Sequence, residues 1–489
     1  KFGISKVGDW GYFGFSFDNL ESLYGIPFHG DEHEEEEEGH DDHGDEDEHE
    51  GERIFSTTDS ETFSIKGMYN VNGYLVNSIT YNYRDSDYSL TEAHAEEEGH
   101  DDHEEEEEHE EHAPTVFSNN ATEYGAIFDI SNDNMTQKVV FNFVDEDSSI
   151  VGEEAFMNPA NNEEFTLGYY MSKDLEAFKV DFGMRLDQIE RTGSVTDEDH
   201  GDEDYYSIDE STNSFAVSLG RELSDTVNMS IGYASVERLP SVIELFMNGP
   251  HNATGRLETG NPNLKSETSD NFDITFNYEN GEYFGYASFY INDVDNYITL
   301  MDEDEDHAEE EGHDEDEHHD DDDHDSDGHD DHGHGNLIHA DYVQEDAEFD
   351  GYEIEFGRTM SLASGELTLS FGRDVVNAKF ADGHNVPRIN PARNVYSLAY
   401  EQDDTIFKLS MKDVEKQNDF GEGETASEAY QMLDMRLTKR FNINNAGDLK
   451  VTLFGRNLLD EVARNHASFV KNEVPLPGRN YGIKFNFSY

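Results

Sequence analysis

The last ten residues, Asn480 to Tyr489, read NYGIKFNFSY and alternate between two kinds of side chain. One face of an extended segment would carry Tyr481, Ile483, Phe485, Phe487 and Tyr489, and the other Asn480, Gly482, Lys484, Asn486 and Ser488. A period of two residues predicts a β-strand. A soluble sandwich would bury the aromatic face, whereas a membrane barrel would turn it toward lipid.

The same alternation recurs along the chain in segments of about ten residues. We count 19 such segments, from residues 1 to 8 at the start to residues 479 to 489 at the end. Short and long connectors alternate between these segments. The sequence therefore predicts an all-β fold, a transmembrane antiparallel up-and-down β-barrel; a soluble all-β protein is the alternative, but strictly alternating loop lengths fit a sandwich poorly.

Three of the long connectors are acidic runs rich in histidine. Run 1 (Asp31 to Glu50) has 14 carboxylates and 4 histidines, run 2 (Glu92 to His112) has 13 and 5, and run 3 (Asp302 to His334) has 20 and 8. Because alternate connectors of an up-and-down barrel lie on one side of the membrane, all three runs should share the external side. With nothing apolar to bury, we expect them to be poorly ordered without metal.

Histidine interleaved with carboxylate is the ligand set of borderline divalent metals, with zinc first and nickel, cobalt and copper(II) behind it. The motif GHDDH occurs at Gly39 to His43 and again at Gly99 to His103. A solvated acidic loop with no metal role is the alternative. The candidate ligands are His33, His40, His43, His49, His94, His100, His103, His109, His112, His307, His313, His318, His319, His324, His329, His332 and His334.

Composition excludes several other classes of protein. The net charge is −83, and removing the 47 acids of the runs, which hold no bases, still leaves −36, so nucleic acid is not an expected partner. No apolar stretch approaches the roughly 20 residues of a membrane helix. The chain has no Cys, and no catalytic constellation stands out among its 114 acids, so we expect neither an enzyme nor a catalytic cofactor.

Three stretches carry a resemblance to a known family. ERLPSVIELFMNGPHNATGRLETGNPNLKSE, at Glu237 to Glu267, resembles the arginine-proline and NPNL boxes of TonB-dependent receptor barrels. GRNLLD at Gly455 to Asp460, with an aromatic last strand, is similar to the C-terminal end of that family. GDWGYFGFSFDNLESLYGIPFHG at Gly8 to Gly30, which leads into run 1, looks like the branch associated with zinc uptake.

The resemblance implies a 22-stranded barrel filled by an N-terminal plug, in the outer membrane of a Gram-negative bacterium, coupled to the TonB system of the inner membrane. Residues 1 to 489 would then be one barrel domain, incomplete at its N-terminus and without its plug, and we expect a monomer in contact with outer-membrane lipid. The resemblance also singles out His251, because haem receptors of the family carry a coordinating histidine in this loop; an ordinary exposed histidine is the alternative. His29, His200, His339, His384 and His466 are weaker candidates.

We therefore predict a TonB-dependent receptor that captures and imports a divalent metal ion, zinc first, with nickel or copper(II) behind it. Weak, multivalent runs would raise the local metal concentration, and a tighter site at the barrel mouth would then take the ion. A haem or ferric-siderophore receptor is the first alternative. A non-transporting surface metal-binding barrel or adhesin is the second.

Overall fold

The computed structural model describes residues 1–26, 54–71, 73–94, 114–152, 155–196, 201–303, 337–443 and 447–488. Within these ranges nineteen long strands form one antiparallel sheet. They are β1 (Phe2–Gly8), β2 (Gly11–Ile26), β3 (Ile54–Asn70), β4 (Ser78–His94), β5 (Thr115–Asp129), β6 (Thr136–Val151), β7 (Ala160–Asp174), β8 (Lys179–Thr196), β9 (Glu203–Ser224), β10 (Val227–Arg238), β13 (Glu267–Glu279), β14 (Tyr283–Asp302), β15 (Ile338–Leu362), β16 (Gly365–Phe380), β17 (Arg393–Gln402), β18 (Thr405–Val414), β19 (Tyr430–Asn442), β20 (Asp448–Arg456) and β21 (Asn480–Ser488).

Each strand pairs with the next along the chain, so the sheet runs up and down from β1 to β21 as predicted. The connector between β10 and β13 is the exception, because it folds into elements of its own. These are α1 (Val242–Phe246), β11 (Asn248–His251), the 3-10 turn η1 (Asn252–Thr254) and β12 (Arg256–Thr259). Sequence reasoning treated this stretch as a loop.

Connector lengths alternate strictly along the sheet. The turns at 9–10, 225–226, 363–364 and 403–404 are two residues long and lie at one end, whereas the acidic runs follow β2, β4 and β14 at the other end. The alternation of short and long connectors predicted from the sequence is therefore present in the fold. We call the second end the long-loop end.

Two faces of the sheet differ as the alternation predicts. On β21, Tyr481, Ile483, Phe485 and Phe487 are all exposed on the outer face, and Phe485 pairs with Val451 of β20. Leu453 of β20 and Tyr396 of β17 continue this exposed apolar face along the sheet. No helix in the described ranges is long and apolar enough to cross a membrane.

The strands extend further toward the long-loop end than the sequence predicts. β15 is 25 residues long, whereas the alternation in the sequence predicts a strand over residues 346 to 359 only. β9 begins at Glu203, about ten residues before residue 213, where the alternation in the sequence predicts the start of a strand. In these extensions apolar side chains recur at only two or three alternate positions, as at Tyr206 and Ile208 of β9, and such a short run does not mark an extended backbone.

Much of the buried apolar packing lies at the long-loop end. Phe246 and Leu245 of α1 are almost fully buried and pack against Phe156 and Met157 of the connector between β6 and β7. A bridge between Met157 and Met247 joins the two connectors through their backbones. This small core fixes the inserted connector against the inner face of the sheet.

Candidate functional site

The inserted connector begins with a well-capped single turn of helix. The Ser241 hydroxyl accepts a hydrogen bond from the Glu244 N–H at 3.3 Å, and the Ser241 N–H donates to Glu244 Oε2 at 2.6 Å. This capping box satisfies donors that a five-residue helix would otherwise leave open. Arg238 completes the unit by pairing with Glu244 at 2.9 Å and with Glu267 at 3.1 Å, which joins the helix to the ends of β10 and β13.

β11 and β12 form a short antiparallel hairpin, in which His251 stands opposite Arg256. Gly249 permits the close approach of β11 to the β6–β7 connector, because it has a φ of 148° and a Cβ there would lie 3.1 Å from the Phe156 Cα. Gly255, at φ 65°, makes the left-handed turn from η1 into β12. The two glycines thus set the position of the hairpin tip that carries His251.

The imidazole of His251 is oriented by two contacts. Its ring stacks on Phe156 with centroids 4.6 Å apart and 26° between the planes. Its Nδ1 lies 2.9 Å from Glu258 Oε1, which also accepts a hydrogen bond from the Thr254 hydroxyl at 2.7 Å. An Nδ1–H that donates to a carboxylate leaves the lone pair on Nε2, the arrangement found behind metal-binding histidines.

Glu258 is held in its ionised form. Burial acts to raise its pKa, but the hydrogen bonds from His251 and Thr254 and the charges of His251 and Arg256 outweigh burial, so the pKa lies below its ordinary value. Its side chain is 4% exposed, whereas that of His251 is 28% exposed. The carboxylate is therefore the buried support and the imidazole is the accessible group.

His251 faces a cavity of about 300 Å³ that lies beside the ends of runs 1 and 2. Ile26, the last residue of β2 before run 1, lines this cavity, as does Glu92, the first residue of run 2. Phe117 of β5, just after run 2, forms another part of the wall. The cavity thus borders the strands from which these two runs leave the sheet.

The hairpin also contacts the chain just before and just after the part of run 3 that lies outside the described residues, at Asp302 and from Ile338 onward. Arg256 makes a two-pronged ion pair with Asp302, the first residue of run 3, at 2.7 and 2.6 Å, and both side chains are at most 7% exposed. After run 3, β12 pairs in parallel with the first residues of β15, and the Ile338 N–H donates to the Gly255 carbonyl at 3.1 Å. The chain therefore leaves and re-enters the sheet beside the residue opposite His251.

Three further connectors pack over this ion pair. The guanidinium of Arg256 lies over the Phe469 ring at 4.4 Å, and that of Arg388 lies over the same ring at 4.3 Å. Gly423, at φ 70°, approaches so closely that a Cβ there would lie 2.7 Å from the Asp302 Cβ. The long connectors after β16, β18 and β20 thus pack around the base of run 3.

Of the histidines predicted as ligands, the structure places His251 and shows the backbone of His94 at the end of β4. The others in the runs, His33 to His49, His100 to His112 and His307 to His334, lie outside the described residues, as do His29 and His200. Among the residues that the structure describes, no three His, Asp or Glu side chains lie close enough together to hold a metal.

The weaker candidates that are described stand apart from the His251 cavity. His384 is exposed and pairs with Asp382 at 3.0 Å. His466 is buried, with its Nδ1 3.0 Å from the Ser427 hydroxyl. His339 lies at the start of β15.

Sequence reasoning missed Glu258, Arg256 and Phe156, which orient His251 and anchor run 3. The alternation in Arg256 to Thr259 (RLET) is a weak strand signal, but nothing in it shows that β12 would fold against β11 and β15.

Comparison with known proteins gives one family and a consistent set of folds. The sequence model of the family described as "TonB dependent receptor-like, beta-barrel" matches residues 5–458. Among solved structures, the copper transporter OprC superposes with a TM-score of 0.66 at 13% identity, over 99% of this chain and 76% of that one. The FrpB iron transporter from Neisseria meningitidis (F5-1 variant) gives 0.65 at 12% identity, over 99% and 71%.

The ferric-catecholate import receptor Fiu from E. coli K12 gives a TM-score of 0.59 at 12% identity, over 98% of this chain and 73% of that one. At these identities the three structures establish the fold and leave the cargo of this chain open.

Proposed function

We propose, since this chain belongs to the family of TonB-dependent receptor β-barrels, that its cargo is a divalent metal ion and that this ion is zinc. Membership of the family makes the protein a transporter of the Gram-negative outer membrane that works with TonB, and not an enzyme. The choice of zinc rests on the composition of the three runs, which hold 17 of the 23 histidines of the chain. Neutral imidazole with carboxylate suits zinc better than it suits calcium or magnesium, which prefer oxygen alone.

The proposed mechanism has two stages. Runs 1, 2 and 3 follow strands that finish at the same end of the sheet, so the mechanism presents their carboxylates and imidazoles on one side of the membrane. Many weak ligands raise the local concentration of the ion without trapping it, because each single contact is easily broken. A tighter site deeper in the protein then takes the ion.

We assign the second stage to the cavity at His251. In the tautomer whose Nδ1–H donates to Glu258, the Nε2 atom is free to bind a metal, and Glu258 and Phe156 fix the ring. Glu92 lines the same cavity and brings a carboxylate from the first residue of run 2. Further ligands would come from the runs, whose ends border the cavity.

The proposal includes an N-terminal plug inside the barrel and a receptor that acts as a monomer. The plug would complete the tight site from below, and TonB would move the plug to release the ion. Zinc bound at His251 would thus lie between the external runs and the movable plug.

Metal binding to the purified receptor tests the proposal. We expect zinc to bind with higher affinity than nickel, calcium or magnesium in titration calorimetry, and cells that carry the receptor to accumulate radioactive zinc in a TonB-dependent manner. Replacing the eight histidines of run 3 by Asn should remove most of the weak zinc sites. His384→Asn, which changes an exposed histidine outside the runs, should leave them intact.

Other outcomes assign a different cargo. Tight haem binding with a histidine-type absorption spectrum, lost in His251→Ala, would replace zinc by haem. Preference for copper(II) over zinc in uptake, beyond the general order of metal affinities, would assign copper. Zinc binding without TonB-dependent uptake would indicate a surface metal buffer.

A further inference from the structure

The outer face of the sheet is basic at the end that carries the short turns. This face can be followed from strand to strand through exposed apolar side chains such as Phe165, Leu219 and Phe356. Between this apolar band and the short turns, the outer face of the described strands carries five cations and no Asp or Glu. We call these five the basic rim: Lys6, Lys173, Arg221, Arg358 and Lys439.

The basic rim stands at the edge of the apolar band. On the outer face of β7, Lys173 comes eight residues after Phe165, and the positions between them on that face are apolar or aromatic: Leu167, Tyr169 and Met171. A strand rises about 3.3 Å per residue, so about 26 Å of tilted strand separates Phe165 from Lys173. This length is comparable with the height of about 25 Å of the apolar band of an outer-membrane barrel. The Lys173 ammonium therefore lies at the level of the lipid headgroups on the short-turn side.

Aromatic rings hold two of the cations at this level. The guanidinium of Arg221 lies over the Phe178 ring, 5.1 Å from its centroid, and that of Arg358 lies over the Tyr283 ring at 4.9 Å. Arg358 also pairs with Glu282 at 2.9 Å, where both side chains are exposed to solvent. A guanidinium that lies on a ring keeps N–H donors at its edge for a further partner.

The outer face has the opposite charge at the long-loop end. Asp145, Glu163, Glu190 and Asp209 stand directly opposite one another across β6, β7, β8 and β9. On β7 this row lies two residues beyond Phe165, where the apolar band ends. Like charges on facing positions destabilise a sheet, and such a row repels phosphate. A phosphate-bearing partner is therefore expected at the basic rim and not at the acidic row.

We propose that the basic rim binds the headgroups of anionic phospholipids, of which phosphatidylglycerol is the type, in the periplasmic leaflet of the outer membrane. Charge complementarity is the first argument: a chain of net charge −83 gathers cations without acids on one lipid-facing edge, and basic side chains beside a membrane attract anionic lipid. The second is position, because the five cations lie on β1, β7, β9, β15 and β19, too far around the sheet for one compact ligand. A layer of headgroups meets them all. The proposal rests on the short turns being periplasmic, and the zinc cargo plays no part in it.

The pair of Lys173 and Arg221 is the best-defined headgroup position. Lys173 stands opposite Val180, and Val180 stands opposite Leu219, two residues before Arg221. Two strand spacings, about 10 Å, thus separate the two backbones, and both long side chains can reach one phosphate between them. Neither cation has an ion-pair partner in the part of the chain that the structure describes.

Native mass spectrometry of the purified receptor in a non-ionic detergent tests the proposal. The receptor is mixed with equal amounts of phosphatidylglycerol and phosphatidylcholine that have the same acyl chains. We expect severalfold more phosphatidylglycerol to stay bound, because the choline cation of the other lipid is repelled by the rim. Lys173→Gln with Arg221→Gln should lower the number of bound phosphatidylglycerol molecules.

Two further variants control for charge and for folding. Lys66→Gln with Arg436→Gln removes one lysine and one arginine from the inner face of β3 and β19, and should leave lipid binding unchanged. Lys173→Arg with Arg221→Lys keeps both charges of the rim, and should keep the preference for phosphatidylglycerol. Equal losses in this exchange and in the Gln variant would mean that the positions matter only for the structure of the strands, and would overturn the proposal.

Other results would also contradict it. Equal retention of the two lipids, or a loss in the inner-face control as large as in the rim variant, would remove the role of the rim. Displacement of phosphatidylglycerol by inorganic phosphate, but not by chloride at the same ionic strength, would make the rim a site for free phosphate. A preference that disappears with EDTA would instead assign lipid binding to divalent cations held by the acidic row.

Discussion

At the scale of single residues, the pair of His251 and Glu258 is the most specific feature of the site. Glu258→Gln should keep the ring in place while weakening the hydrogen bond that polarises it, so we expect the affinity of the tightest zinc site to fall about 10–100-fold. His251→Ala should abolish that site. Titration calorimetry after saturation of the weak sites measures both effects.

A matched control for this pair lies elsewhere on the surface. His384 also contacts a carboxylate, that of Asp382, at 3.0 Å, but it does not line the cavity. Asp382→Asn and His384→Ala should leave the tight site unchanged. An equal loss of zinc affinity in the variants of both pairs would show that any exposed histidine contributes alike. His251 would then have no special role.

The histidines of run 3 predict a pH dependence. A proton and a metal ion compete for the same imidazole nitrogen, so zinc binding by the runs should weaken as pH falls from about 7 to 5.5, through the ordinary histidine pKa of about 6.5. Replacing His307, His313, His318, His319, His324, His329, His332 and His334 by Asn should remove the pH dependence contributed by run 3, while calcium binding to its acids survives. Undiminished zinc binding in this variant would assign capture to the carboxylates alone.

Glu258 should not contribute to that pH dependence. Its pKa in the folded protein is depressed, so the stability it contributes is complete above its unfolded pKa of about 4.3 and is lost only as pH falls through the lower folded value. The carboxylate support of His251 therefore remains charged between pH 7 and about 5.5. A loss of zinc binding over this pH range would therefore be caused by protonation of imidazoles and not of Glu258.

At the scale of elements, the ion pair of Arg256 and Asp302 holds β12 against the ends of β14 and β15. Asp302→Asn would leave a buried guanidinium without its counter-charge, which typically costs about 3–5 kcal/mol. We expect amide hydrogen exchange to accelerate in β12 and in Ile338 to Asp341, which pair with it. The double variant Arg256→Met with Asp302→Leu should recover much of this protection, since it removes both charges together; if it does not, the pair acts through its geometry.

Asn457 is a second element-scale anchor, at the start of the connector from β20 to β21. It is fully buried at φ 46°, its amide donates to the carbonyls of Glu461 and Pro477 at 2.8 and 3.2 Å, and its Oδ1 accepts from the Glu461 N–H. Asn457→Gly keeps the backbone conformation but loses these bonds, and Asn457→Ala adds about 1–2 kcal/mol of left-handed strain. In urea unfolding both variants should be destabilised, Ala more than Gly; the reverse order would mean that the strain is absorbed elsewhere.

At the scale of the whole molecule, connector parity fixes which parts of the chain share a side of the membrane. Epitope tags in runs 1, 2 and 3 should all bind antibody on intact cells, because these runs lie at the same end of the sheet. A tag in the turn between β19 and β20 should bind only after the outer membrane is permeabilised. Periplasmic exposure of any one run would contradict the up-and-down order.

The sequence by itself determined the number and order of the strands, and the end of the sheet at which the acidic runs leave it. Period-two alternation needs only local side-chain order, and connector length needs only counting, so nineteen strands and their parity could be read before any contact was known. The same local patterns failed where apolar and polar residues alternate over only a few positions, which is why β9 and β15 are longer than predicted.

Only the tertiary structure decided what surrounds His251. Glu258 is near in sequence, but Phe156 comes from another connector, and Asp302 reaches Arg256 across 46 positions of the chain. Likewise, Arg436, Lys450 and Lys484 belong to three strands, and only strand register makes them neighbours. The alternation of residues along a strand predicts on which face of the sheet a side chain lies. Burial and charge pairing depend instead on contacts between distant segments, which no local pattern encodes.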